Sequence, residues 1–397
     1  MRKTVQTSDA TSQHVSHGRL KHISAITLIA GFTGAVIGIV AIAAIYGGQR
    51  TDFGAVALTV GTSSMMASVD GSRIHCSDAR DADLCLSGYR RRESTHAAVW
   101  LGNSQVHAVN QLKPDETNAP PIVFQALRRR GLDLLTFSQP NANLQEHAVL
   151  FAYLCAKLPV SVLVLPLVFD DVREGGLRHE IAAFLDDDAT VVALSKYSSG
   201  QRMLVTAKAS TEKSDTAGLR ETVQERSEQR LTGLLEEHSK FWQARPELRG
   251  QLFQGLYLAR NAVLGIKPST KRRRIPGRYQ DNLEALRLIL DLAREKSIQV
   301  ILYIAPIRSD VPLPYVESEY LDFKQTVQVL ADDFKAHYQN YESLVPAIYW
   351  GQKGSTTIGG GLETDYMHFQ APGHKLLAEA LIKTVHAAAG SAGLQQP

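Results

Sequence analysis

Val99-Trp100-Leu101-Gly102-Asn103-Ser104-Gln105 closes a short apolar run that begins at His96 and has the length and composition of a buried strand. Gly102 breaks the run, and polar residues follow at once. A serine on the first tight turn after a central strand emerges at the carboxyl edge of an α/β sheet, where such folds bind ligands. A hydroxyl is a weak nucleophile unless a base lies within hydrogen-bond reach, so the base has to be sought elsewhere in the chain.

The chain downstream alternates in the manner of a layered α/β sheet. Helical character at 121–130 is followed by a strand, Leu132-Asp133-Leu134-Leu135-Thr136-Phe137, then by Ser138-Gln139-Pro140-Asn141-Ala142-Asn143, where an asparagine cap opens a helix at 144–158. The Val/Leu run at 160–169 reads as a strand covered on both faces and ends in Asp170-Asp171. Residues 177–184 read as a helix and 189–194 as a strand or helix. Residues 198–276 are charged and helical in pattern, an insertion without strands. The alternation resumes with a helix at 282–294, a strand at 300–306, a helix at 320–334 and a short last strand at 341–345.

The base comes from Glu363-Thr364-Asp365-Tyr366-Met367-His368, just before an apolar-periodic segment that starts near Ala371. A three-residue step at a helix start sets a carboxylate against one imidazole nitrogen while the other faces outward. That is the orienter and base of a serine triad, which is recognised by geometry and roles rather than by chain order. Ser63 and Ser64, after the apolar segment 53–60, form a second strand–Gly–Ser pattern and rank behind Ser104 as nucleophile. His374 is expected on the exposed side of the last helix.

A serine after the first strand and Asp-x-x-His before the last helix together resemble the SGNH/GDSL hydrolase family, over roughly residues 97–388. The closer likeness is to its membrane-anchored periplasmic members, such as the teichoic-acid D-alanylation and alginate O-acetyltransferase-like proteins, which work beside a membrane-bound O-acyltransferase. The resemblance implies an SGNH-like three-layer sandwich with a central parallel sheet, and Ser104, His368 and Asp365 as catalytic residues. It also implies oxyanion donors: the Ser104 N–H with Asn103 beside it, N–H groups near Ala142 and Asn143, and the side chain of Asn141 or Asn143. The sequence departs from the family where Asn141-Ala142-Asn143 replaces a glycine and Asp170 or Asp171 replaces an asparagine. An ionised carboxylate there repels an oxyanion, so it must be protonated, turned away or used for something else. Arg308, past the strand end, either binds an anionic substrate group or pairs with Asp310.

Residues 1–22 carry Arg2, Lys3, Arg19 and Lys21 against the single acid Asp9, and 23–46 has no charge. About 20 apolar residues span a bilayer, so 23–46 is expected to be a transmembrane helix. The basic flank keeps 1–22 cytoplasmic and sends the rest outside a bacterial inner membrane, into the periplasm. The expected order is that anchor, a linker at 51–96, the α/β domain at 97–388 with its insertion, and a disordered tail at 389–397. The expected activity is acyl ester chemistry, either O-acyl (acetyl) transfer to an exported polysaccharide or cell-wall polymer, or release of acyl groups to water. A non-catalytic scaffold for a polytopic O-acyltransferase is the remaining alternative.

A net charge of +3 over 397 residues gives no global basic field, so nucleic acid is not an expected partner. Lys271-Arg272-Arg273-Arg274 is a local cluster, either a solvated loop or a contact for lipid phosphates or an anionic polymer. The three cysteines have no metal-ligand spacing, and no metal or cofactor is expected. Cys76 and Cys85 lie close enough in sequence to form a disulfide in an oxidising compartment, and Cys155 reads as a small buried hydrophobe on a helix.

Overall fold

Twelve strands occur among the residues that the computed structural model describes, 61–212, 270–354 and 361–391. They are β1 (Thr62–Ser64), β2 (Ser68–Val69), β3 (Ser72–Arg73), β4 (His75–Cys76), β5 (His96–Gly102), β6 (Ala108–Asn110), β7 (Leu132–Ser138), β8 (Val160–Leu167), β9 (Gln299–Ile304), β10 (His337–Asn340), β11 (Trp350–Lys353) and β12 (Glu363–Phe369). Six form the central sheet in the order β10-β9-β8-β5-β7-β4, with every neighbouring pair parallel. β5 and β7 pair along their length, Ala97 opposite Asp133 and Gly102 opposite Ser138.

The chain leaves β5 for β7 on one side, then crosses to β8 on the other, so the order reverses at β5. Open α/β sheets bind ligands at that switch point, beyond the carboxyl ends of the strands. Ser104 stands there.

Helices cover both faces, and the near-continuous apolar strands follow from that double cover. One face packs against helices Ala82–Arg91, Leu144–Lys157, Pro276–Glu295 and Glu317–Phe334, the other against Ala119–Arg128 and Ala371–Ser391. Trp100 in β5 is fully buried, and its indole N–H donates to the Tyr303 hydroxyl of β9 at 3.2 Å. Truncating such a side chain to alanine costs about 3–5 kcal/mol.

Several expectations change. The described part of 51–96 is not a linker: β1 pairs with β6, β4 adds the sheet's outer strand beside β7, and helix Ala82–Arg91 packs on one face. Its polar residues disguised this, because β2, β3 and β4 are two residues long and too short for an alternation pattern. Cys76 and Cys85 are joined in a disulfide that ties β4 to that helix. Cys155 is half-buried on Leu144–Lys157. Residues 188–195 are helical, and the last sheet strand is His337–Asn340 rather than 341–345. Helix Ser198–Glu212 opens the expected insertion and Pro276–Glu295 follows it. The final helix runs to Ser391, into the expected tail. The expected anchor at 23–46 and most of the insertion lie outside the described residues. Among the described residues no helix is long and apolar enough to cross a membrane.

Candidate active site

Ser104 begins the four-residue helix Ser104–His107 directly after β5. The turn is this tight because Gly102 has no side chain; a methyl group there would run into Val106 and press on Pro166. Asn103 is extended and caps the helix, its Oδ1 accepting from the Gln105 N–H at 3.0 Å. The Val106 N–H turns back to the Asn103 carbonyl. Ser104 keeps a backbone N–H with no helical acceptor, since the first N–H groups of a helix have none.

Asp365 and His368 lie on β12, which pairs antiparallel with β11, and not at a helix start. The carboxylate shapes the strand locally: Asp365 Oδ1 accepts from the N–H groups of Met367 at 2.9 Å and His368 at 3.0 Å. This brings the imidazole back over the carboxylate, where His368 Nδ1 lies 3.0 Å from Asp365 Oδ2. His368 Nε2 lies 2.9 Å from Ser104 Oγ. With Nδ1–H donating to Asp365, Nε2 carries the lone pair and accepts from the serine hydroxyl. Ser104 and the Asp365–His368 pair, 264 residues from Ser104 to His368, therefore share one hydrogen-bonded line.

Asp365 is fully buried. Burial alone raises a carboxyl's pKa, but here the His368 imidazole and the hydrogen bonds from His368 and Met367 outweigh it and hold Asp365 ionised far into acid. The pair is screened little by water, yet Ser104 and His368 keep some access, the His368 side chain being 12% exposed.

Two supporting residues had no signal in the sequence. Gln105 is buried and donates both amide hydrogens across the site, to the Pro306 carbonyl and the Met367 carbonyl, each at 2.8 Å. It joins the serine turn, the end of β9 and the strand that carries His368. Asn110, at the end of β6, donates from Nδ2 to Asp365 Oδ2 at 3.3 Å and to the Gln352 carbonyl at 3.0 Å. Gly351 is needed beside it, because a side chain there would collide with the Asn110 amide. A lone Gln or Asn next to a strand end looks like turn chemistry, so neither stands out.

The expected oxyanion and substrate residues fare differently. Asn103 is beside Ser104, but its amide nitrogen donates to Asp171, 2.9 Å from Oδ1. Asn143 is corrected to a helix cap: its Oδ1 accepts from the Glu146 N–H, its Nδ2 donates to the Gly176 carbonyl, and its own N–H donates to Glu146. The Ala142 N–H donates to the Gln139 carbonyl. Those donors are spent within the loop, a capping box being the cheaper use of them. Asn141 sits exposed at φ +52°, the left-handed geometry of a turn. Asp170 meets Arg173, Arg272 and the Tyr315 hydroxyl. Arg308 pairs with Asp310 at 2.7 Å and donates to the Gly351 carbonyl, taking the second of its two expected roles. Ser63 and Ser64 lie in β1 with no hydrogen bond to His368. His374 is fully buried rather than exposed, its Nε2 3.0 Å from the Ala108 carbonyl. Among the described residues no group of three or more His, Cys, Asp or Glu is arranged to hold a metal.

No protein-family model matches the chain, and no curated protein matches it. Solved structures do. An acetylxylan esterase from Geobacillus stearothermophilus aligns with 74% of this chain and 94% of its own, at 10% identity and a TM-score of 0.36. A protein described as an acylhydrolase from Bacteroides fragilis aligns with 73% of this chain and 86% of its own, at 10% identity and a TM-score of 0.31. One described as a GDSL-like lipase from Parabacteroides merdae aligns with 74% and 96%, at 10% identity and a TM-score of 0.35. These likenesses are distant, and the site is read from its own distances.

Proposed function

We propose that the protein performs serine-dependent acyl ester chemistry. The observation that carries this is the Ser104 Oγ–His368 Nε2 distance of 2.9 Å, with Asp365 behind the same imidazole at 3.0 Å. His368 takes the Ser104 proton as Oγ attacks an acyl carbonyl. Asp365 fixes the tautomer and stabilises the imidazolium that forms. The negative oxygen of the tetrahedral intermediate is held by the Ser104 N–H, and collapse expels the alcohol, which takes its proton from His368. The acyl-serine then passes its acyl group to water or to a sugar hydroxyl by the same steps in reverse.

The finer reading is O-acyl transfer, with acetyl as the group, to an exported polysaccharide or cell-wall polymer, by a protein anchored in the inner membrane with this domain in the periplasm. It rests on the uncharged segment 23–46 behind a basic flank and on the departures from the family at Asn141-Ala142-Asn143 and Asp170-Asp171. A polytopic membrane-bound O-acyltransferase is the natural acyl donor for such a domain.

The test is Ser104→Ala at wild-type protein level. The expected outcome is loss of fluorophosphonate labelling and of p-nitrophenyl acetate turnover in the purified protein, with a fall in polymer-bound acyl groups in cells. Undiminished turnover in the variant defeats the chemistry. Undiminished polymer acylation with turnover lost defeats only the transfer reading.

A further inference from the structure

The acid and base of the triad form a local unit, and something has to place that unit against the nucleophile. Asp365 accepts four hydrogen bonds among the described residues. Three come from its own strand: the N–H groups of Met367 and His368 reach Oδ1, and His368 Nδ1 meets Oδ2. These fix the imidazole against the carboxylate but say nothing of where Ser104 lies. The fourth comes from outside the strand. Asn110 Nδ2 lies 3.3 Å from Oδ2, the same oxygen that faces the imidazole. Asn110 ends β6, which begins at Ala108 where the helix carrying Ser104 stops. The nucleophile and this amide therefore belong to one short run of chain, and the amide reaches across to the acid.

The amide is committed to that arrangement. Asn110 is fully buried. Its Nδ2 faces three oxygens: the Gln352 carbonyl of β11 at 3.0 Å, Thr62 Oγ1 of β1 at 3.2 Å, and Asp365 Oδ2. Turning the amide over would set its oxygen against those oxygens, so its neighbours fix its orientation. Asn110 Oδ1 accepts no hydrogen bond among the described residues. A buried carbonyl left that way opposes folding, so the amide is kept for what its nitrogen does. The charges point the same way. Asp78, Asp133 and Glu146, buried acids elsewhere, each meet a guanidinium. Asp365 meets a neutral amide, and the cation that faces it, Lys353 of β11, acts on it through space. A guanidinium on Oδ2 would compete with the imidazolium for the carboxylate's charge; an amide does so far less.

We propose that Asn110 is a positioning residue: its amide holds the Asp365–His368 unit in line with Ser104 and leaves the carboxylate's charge for the imidazolium. The proposal rests on the acyl ester reading above. Gln105 fixes the strand through the Met367 carbonyl, whereas Asn110 fixes the carboxylate itself. Without the amide, β12 keeps its internal hydrogen bonds, but Asp365 Oδ2 loses its link to the segment that carries the nucleophile.

The test uses the full-length protein, p-nitrophenyl acetate, a fluorophosphonate and the variants Asn110→Leu, Asn110→Asp and Thr62→Val. Asn110→Leu has no donor and is expected to lose about tenfold or more in kcat with little change in KM. The far-downfield proton resonance of His368 Nδ1–H, set by its bond to Asp365, is expected to move or vanish in the same variant. Thr62→Val removes a different acceptor of the same amide and is expected to lower Tm while kcat and the resonance stay put. Asn110→Asp keeps the size and donates only while its carboxyl is protonated, so its kcat relative to wild type is expected to fall as pH rises from about 6 to 9. The other groups that face the pair, Lys353 beside Asp365 and His107 and His374 beside His368, are common to both proteins and cancel in that ratio. A Leu variant within tenfold of wild type in kcat, or one with the resonance in place, overturns the proposal, as does a Thr62 variant that loses as much. If the Leu variant does not fold, the Asp variant decides, and a level ratio across that pH range overturns the proposal. Wild-type protein that neither turns over the ester nor takes the label overturns the acyl ester reading; the resonance needs no substrate and then still decides whether Asn110 holds the pair.

Discussion

Two serines stand at the carboxyl ends of neighbouring strands, each hydrogen-bonded to histidine, and they are built for opposite ends. Ser104 meets His368 at 2.9 Å. Ser138, at the end of β7, meets His75 Nε2 at 2.6 Å and His107 Nδ1 at 2.8 Å. The first pair has a carboxylate behind the imidazole and keeps a path to solvent. The second is sealed: His75 and His107 are fully or nearly fully buried, and among the described residues no acid is hydrogen-bonded to either ring. Ser138 has one proton for two imidazoles, so it donates to one ring and accepts from the other, and nothing in that arrangement stabilises an imidazolium. Burial holds His107 down to about 3 and His75 well below its usual value, which keeps both neutral. Proximity of hydroxyl and imidazole does not make a nucleophile; a buried anion behind the ring and an open face do.

The comparison breaks most directly at the carboxylate. Asp365→Asn makes the first arrangement like the second, and kcat is expected to fall by about 10⁴, measured on a soluble ester with folding checked by circular dichroism. A fall of less than tenfold would mean that His368 does not work as the base.

Next is the clamp. Gln105→Leu removes both donors that tie the serine turn to the strand of His368. A displacement on the order of 1 Å at a catalytic pair costs about 100-fold, so that loss is expected in kcat rather than in KM. Equal losses in kcat and thermal stability, with the fluorophosphonate labelling rate unmoved, would assign Gln105 to packing alone.

Ser138→Ala sharpens the contrast from the other side. It strands two buried imidazole nitrogens, at a cost of about 1–3 kcal/mol, and is expected to lower Tm by several degrees while kcat stays within about threefold. A hundredfold fall in kcat in this variant would give the second pair a part in the chemistry.

The smallest effect is on acid stability. His75, His107, His147 and His374 are buried, and desolvation is the largest cause of a depressed pKa in each, to about 3 for His107 and His147 and about 4 for His374. In the unfolded chain each titrates near 6.5, so below that pH the unfolded state binds protons that the folded state refuses. Stability is therefore expected to decline from about pH 6.5 downward, and the denaturant midpoint at pH 5 should lie below that at pH 7. Asp365 pushes the same way only at lower pH, because its stabilisation is present above the usual carboxylate range and lost beneath it. A midpoint that holds or rises between pH 7 and 5 would count against neutral buried imidazoles.

Strands β5, β7, β8 and β9 were legible because they are buried on both faces, and residues lying that way are apolar almost without interruption. The triad was legible from its two ends: the glycine that frees a serine after a strand, and a carboxylate three residues before a histidine. The pieces at 61–96 were not, since strands of two or three residues carry no period and their polar side chains look like a linker. Asn143 showed the limit of residue type as a guide. Its amide suited an oxyanion donor, and the capping box used every group it offered.

Sequence alone determined the parallel α/β sheet, the serine turn and the carboxylate–histidine spacing, because each is a local consequence of side-chain size, polarity and period. Tertiary structure decided which serine the histidine reaches, that Gln105 and Asn110 hold the two halves together, and that Asp170 is paired while Asp171 is left without a cation. Those outcomes depend on which neighbours arrive from strands hundreds of residues apart, and no local pattern carries that information.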